Sequence, residues 1–173
     1  QRHSSFQAYR AALQLADGSV PEEDLNAVRY YLSFLFYQRV EYYDAIVMSE
    51  QVVRHFPESA VARRCAKISL ASYVTLLQQA QAQGVTDLSF ETAGLEQIAE
   101  QLVKKWPDET DSQEALVILI NIAIQQGNID TAEKRLEQIP LESAQRGVAE
   151  LKTGQALWNK YLRAVQQLRE SEN

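Results

Sequence analysis

The 173-residue chain holds one cysteine, one methionine, two histidines, four prolines and six glycines. With a single cysteine, Cys65, no internal disulfide and no multi-cysteine zinc site can form. Its neighbours Ala62, Ala66 and Ile68 make it read as a small buried hydrophobe. Neither histidine stands near a nucleophile or a second ligand: His55 lies in RHFP at a helix end, where a cation suits the helix dipole, and His3 is close to the start. So few Gly and Pro leave too few turn signals for many short strands. Positive charge is also in deficit, with 17 Lys and Arg against 23 Asp and Glu. A net charge of −6 speaks against nucleic acid as the ligand, which needs clustered cations. The pairs Arg63-Arg64 and Lys104-Lys105 read as solvated helix faces. The most apolar run, ALVILINIAI from Ala115 to Ile124, is far short of the ~20 residues a bilayer needs and contains Asn121, so no direct membrane insertion is expected from this segment. A first residue Gln1 without a signal-peptide pattern suggests an excised domain or a processed form.

Catalytic motifs are missing as well. There is no Gly-rich phosphate loop, nucleophile elbow or paired metal motif. The acidic group Asp108, Glu109, Asp111 and Glu114 lacks the alternating ligands and central glycine of a calcium loop, and helix capping accounts for it better. The chain is therefore expected to be no enzyme and to need no cofactor or metal.

What is present is helical periodicity in a composition that is 46% hydrophobic and 23% charged, enough to build a core. Phe6, Tyr9, Leu13 and Ala16 share a stripe, ended by Asp17-Gly18 with Gly18 as a left-handed cap. Ser19 and Glu22 have capping-box spacing before a helix reaching about Arg39. EYYDAIVMSEQVVRHF forms the next, stopped before Pro57. A long helix from Ser59 reaches Gly84, VTDLSFE is a loop, and Thr92 to Trp106 is helical up to Pro107. Residues 111–126 read as helix despite five β-branched residues, with Asp111 and Glu114 at N-cap and N3 spacing and Gly127-Asn128 at the end. A short helix from Asp130 ends at Pro140, and a long one covers about 143–169.

A pattern recurs among these elements. Ala45, Ser49, Val52 and Pro57 are matched by Leu95, Ala99, Leu102 and Pro107, then by Gly127, Ala132, Leu136, Ile139 and Pro140, while QAYRAALQL resembles the latter half of the same unit. The sequence thereby resembles the tetratricopeptide repeat family, whose 34-residue unit pairs two antiparallel helices. PESAVARRCAKISLASY also resembles the divergent repeats of bacterial envelope-assembly lipoproteins. The resemblance implies an all-α fold of antiparallel hairpins stacked in a right-handed superhelix of about eight helices, in one domain over 1–173. That domain would hold a half repeat at 3–17, repeats at about 21–57, 58–107 and 111–140, and a capping helix at 143–170. Stacking is needed because one hairpin cannot bury its apolar face alone.

In this family the first helix of each pair lines a concave groove that binds peptides or helices. Carried over, that surface holds Ala27, Tyr30, Phe34 and Tyr37, then Glu114, Val117, Asn121 and Ile124. The partner-binding candidates are Tyr30, Phe34, Tyr37, Val117, Asn121 and Ile124, the first three within an aromatic run that includes Tyr31, Phe36, Tyr42 and Tyr43. Tyrosines suit interfaces, with large contact area and a polar tip. A second candidate is the seam Gly147, Leu151, Gly154, Trp158, Tyr161, Val165 and Leu168, whose alternating spacings of four and three are those of a coiled coil. It reads first as a cap covering the end of the stack and otherwise as a homodimer seam. The expected function is a scaffold docking a protein or peptide, the alternative an oligomerisation module of a larger protein. These residues do not set the compartment, although the second resemblance tilts it toward a bacterial cell envelope rather than the cytoplasm.

Overall fold

A computed structural model describes the backbone of residues 2–171 and the side chains of residues 5–170. The expected domain limits 1, 172 and 173 and the side chain of His3 lie outside the described residues. Among those residues the chain is all helix without strand: α1 (Arg2–Leu15), α2 (Glu22–Gln38), α3 (Tyr42–His55), α4 (Ala62–Ala82), α5 (Ser89–Lys105), α6 (Thr110–Gln125), α7 (Ile129–Leu136) and α8 (Ala144–Ser171). Its contacts divide into two compact units, one up to Gln101 and one from Leu102.

Several helix ends differ from the sequence reading. The capping box at Ser19 and Glu22 does not form. Asp17, two residues upstream, accepts both the Ser19 N–H and its hydroxyl, and α2 starts behind Pro21 without a side-chain cap. Those two bonds hold the Asp17 carboxyl below its ordinary range. Asp111 is not the cap of α6, which begins one residue earlier behind Glu109. The helix α5 opens at Ser89 rather than Thr92, and α4 opens at Ala62 after a turn through Pro57 to Val61. Gly18 is not left-handed; the glycines with positive φ are Gly84 and Gly127.

Those two glycines belong to a corner used three times. The N–H of Gly84 bonds the Gln81 carbonyl while that of Val85 reaches Ala80, and Gly127 and Asn128 do the same toward Ile124 and Ala123. Val40 and Glu41 repeat the arrangement toward Tyr37 and Phe36. This is the Schellman motif, whose left-handed residue is usually glycine. At the α2–α3 corner that residue is a valine with φ 66°. A β-branched side chain is strained there. Val40 is exposed, so removing its side chain costs little burial. Val40→Gly is expected to stabilise the protein by about 1 kcal/mol, seen as a melting point about 2–4 °C higher.

Within the first unit α2, α3 and α4 pack mutually and α1 packs on α2. Phe6 of α1 is buried edge-on against Phe36, with ring centroids 5.1 Å apart. Small residues let the helices approach closely: Ala45, Ser49, Ala62, Cys65, Ala66, Ser69 and Ser72 are fully buried, as is Ser33. The hydroxyls of Ser33, Ser49 and Ser72 donate to the carbonyls of Tyr30, Ala45 and Ile68 in their own helices. They are thus satisfied without a partner across the contact. Further along α4, the Tyr73 ring lies against Gly94 of α5 with no room for a side chain between them.

Burial pushes the Cys65 thiol from its ordinary 9 up to about 12. A folded pKa above the unfolded one stabilises the fold below pH 9, and that contribution is lost as pH rises toward 12. Urea unfolding should therefore show a loss of about 1 kcal/mol between pH 9 and 10 that is absent in Cys65→Ala. An identical pH slope in both proteins would contradict this account.

In the second unit α6, α7 and α8 pack mutually around Leu116, Ile120, Ala123, Ala132, Ile139 and Ala149. The buried Ser112 hydroxyl lies 2.8 Å from the Leu102 carbonyl and 2.6 Å from that of Trp106, closing the end of α5 against the start of α6. Asn128 caps α7 by accepting the Thr131 N–H. Arg146 Nη1 donates to the carbonyls of Leu136 and Ile139 at 2.8 Å each, which fastens the start of α8 to the end of α7. Thr153 is buried with its hydroxyl lacking a hydrogen-bond partner. Thr153→Val, which keeps the shape and removes that hydroxyl, is expected to stabilise by about 1 kcal/mol in a denaturant titration.

Candidate functional surfaces

The aromatic run on α2 divides between packing and surface. Tyr30, Phe34 and Tyr37 form one stripe because their spacings of four and three bring them to one side of the helix. Phe34 is 41% exposed, while Tyr30 and Tyr37 are half-buried. The Arg64 guanidinium of α4 lies 6.0 Å from the Tyr30 ring centre, and Tyr37 meets Tyr42 edge-on at 5.4 Å. Of the neighbouring rings, Tyr31 is exposed but stacked on Tyr9 of α1 at 5.3 Å. Tyr43 is exposed, and its hydroxyl donates to Glu91, which raises the phenol above its ordinary value. Phe36 faces the other way, toward α1.

Phe36 leads into a cleft of about 450 Å³ between α1, α2 and α3, lined by Phe6, Leu13, Phe36 and Met48 with Arg10 and Arg39. Both guanidiniums lie over the Phe6 ring, at 5.8 and 4.6 Å from its centre, and Arg39 also pairs with Glu41. This cleft was not legible in the sequence, because it depends on how α1 lies against α2.

The α6 candidates separate in a similar way. Val117 and Ile124 are both packed against the core of the second unit. Asn121 and Ile124 line an open cleft of about 390 Å³ between α6 and α8, together with Gln125, Lys152, Gln155, Ala156 and Asn159. Lys152 Nζ donates to Asn121 Oδ1 at 2.9 Å across this cleft. Sequence reasoning missed its α8 wall, although Lys152, Gln155 and Asn159 at spacings of three and four are a readable polar stripe.

The seam on α8 is the clearest departure from expectation. It does not cover the end of the stack. Leu151, Trp158, Tyr161 and Leu168 are 63, 59, 58 and 64% exposed, Gly147 and Gly154 are exposed, and Val165 is half-buried. A Cβ added at either glycine would meet nothing within 4 Å. The contacts with the second unit come from Arg146, Ala149, Lys152, Thr153 and Ala156 instead. Trp158 is nine residues from Ala149, or two and a half turns at 3.6 residues per turn, and so lies on the opposite side of the helix.

Among the described residues no group of three or more His, Cys, Asp and Glu side chains could hold a metal ion, Asp108 to Glu114 included. No described helix is long and apolar enough to cross a membrane. Comparison with family models, with curated proteins and with solved structures finds no match to this chain.

Proposed function

We propose that the chain is a protein-binding scaffold, built from hairpins of the tetratricopeptide type in a right-handed superhelix, that docks an extended segment of another polypeptide. The observation behind this reading is the α6–α8 cleft. Its walls carry the amides of Asn121, Gln125, Gln155 and Asn159 beside the apolar Ile124 and Ala156. Each amide offers both donors and acceptors, as an extended backbone requires of its surroundings. Lys152, the charged member of the wall, suits a carbonyl-rich or acidic segment. The stripe of Tyr30, Phe34 and Tyr37 supplies an aromatic docking surface in the first unit.

The test is an array of immobilised peptides of varied sequence, probed with wild type, with Asn121→Ala/Asn159→Ala and with Tyr30, Phe34 and Tyr37 all changed to Ser. Each variant is first checked for helical content. A peptide set held by wild type and weakened tenfold or more by one of the variants is the expected result. Equal retention by all three proteins would remove both surfaces from function.

A further inference from the structure

We propose that the outer face of α8 pairs with the same face of a second copy of this chain, in an antiparallel two-helix contact centred between Trp158 and Tyr161. From Leu157 to Glu170 every side chain except Val165 is exposed, so the second half of the helix runs past the core that anchors its first half. A helical stretch of that length is marginal in water unless an amphipathic face is packed. The face it presents is apolar. Leu151, Trp158 and Tyr161 on the seam are flanked by Leu157 and Leu162, 38 and 46% exposed.

No charged residue occupies the seam or its flanks between Glu150 and Arg169, and Lys160 and Arg163 sit on the other side of the helix. Pairing therefore buries no charge. It is the 3.5-residue period, held over three heptads, that requires a helical occupant, because only a supercoiling helix stays in register with it. Exposed Val148, Leu151, Leu157, Trp158, Tyr161, Leu162 and Leu168 together offer about 700 Å², most of the ~800 Å² per partner that a stable interface uses.

The order of large and small residues selects the orientation. A parallel pair would set Gly154 against its own copy, beside a layer of two tryptophans, leaving one layer empty and the next overfilled. An antiparallel pair sets Gly154 against Val165, Leu151 against Leu168 and Trp158 against Tyr161, so every layer from Leu151 to Leu168 contains a branched or aromatic side chain. It is also two-fold symmetric, which makes the seam its own complement. At the centre, Trp158 and Tyr161 already stack with ring centroids 5.6 Å apart, an aromatic anchor where interfaces concentrate their binding energy.

Sedimentation equilibrium over micromolar to submillimolar protein tests the pairing. Wild type should approach twice the chain mass, while Trp158→Glu and Leu151→Glu should stay at the single mass with helical content kept in the anchored half. In the same experiment on oxidised proteins, Gly154→Cys mixed with Val165→Cys should give a mixed disulfide in excess of either self-disulfide. A wild type that remains a monomer overturns the proposal, as does a dimer that survives Trp158→Glu. Self-disulfides in excess overturn the antiparallel orientation. Binding of monomeric wild type to anionic phospholipid vesicles, lost in Trp158→Glu, would assign the face to a lipid surface and also overturn it. None of these substitutions alters the α6–α8 cleft or the α2 stripe, so failure here is distinguishable from failure of the docking function.

Discussion

Gly94→Ala is expected to destabilise the protein by about 2 kcal/mol, an unusual sign for glycine to alanine inside a helix. On propensity alone the change should stabilise by about 1 kcal/mol. The added methyl, however, would stand 2.5 Å from the Tyr73 hydroxyl oxygen and Cε1, and closer still to Cζ. Tyr73 is 4% exposed and cannot swing into solvent without opening the contact. Burial raises its phenol first, and Glu50, which the hydroxyl hydrogen-bonds, adds to the effect. Overpacking of this kind costs up to about 3 kcal/mol and outweighs the propensity gain. The double-mutant cycle is decisive. Tyr73→Ala alone should cost about 3–5 kcal/mol. In that background Gly94→Ala has nothing to strike and should stabilise by about 1 kcal/mol. If the sign does not reverse, the close approach of α5 to α4 at this point is wrong.

Ile120→Ala should cost the second unit about 3 kcal/mol. The side chain is fully buried among Leu116, Ala123, Ala132, Ile139 and Ala149. Its neighbours include three alanines, whose short side chains cannot reach into the cavity left behind. Removing three carbons therefore carries both the transfer and the cavity penalty. Because the chain has two compact units, hydrogen exchange is a better probe than one melting curve. Amides of α6, α7 and the first half of α8 should exchange about a hundredfold faster in the variant. Less than a tenfold change would place Ile120 outside the centre of the core.

The helices were legible largely because apolar spacing dominates them. The α6 segment shows how far that extends: its isoleucines favour strand, yet burial on several sides outweighs the local preference and keeps them helical. Helix ends were less legible, since a cap is a local competition. Ser19 matches the capping-box pattern, but Asp17 takes both of its donors, and no rule applied to Ser19 alone foresees that. At α8 the spacing disclosed which residues share a face but not which face meets the body. The anchoring side consists of Ala149, Thr153 and Ala156, too small to register beside a seam with tryptophan, tyrosine and leucines. The α6–α8 cleft escaped for a related reason, since half of it comes from residues that read as solvated surface. Gly94 could not have been singled out, because only the position of Tyr73 explains it.

The buried serines of the first unit carry a mechanical consequence. Ser33, Ser49 and Ser72 discharge their hydroxyls onto their own helices. At those points a sideways slip breaks none of these three hydrogen bonds, whereas Ser69 of α4 donates across to Glu50 of α3 at 3.3 Å. Sliding past the three self-satisfied serines costs dispersion alone, while at Ser69 it also costs a hydrogen bond. Arg146 holds more firmly, since moving α8 along α7 strips a half-buried guanidinium from two carbonyls at once. Sliding of α4 along α3 is thus checked at Ser69 and Glu50, and that of α8 along α7 at Arg146, while the three self-satisfied serines leave the rest of the first contact smooth.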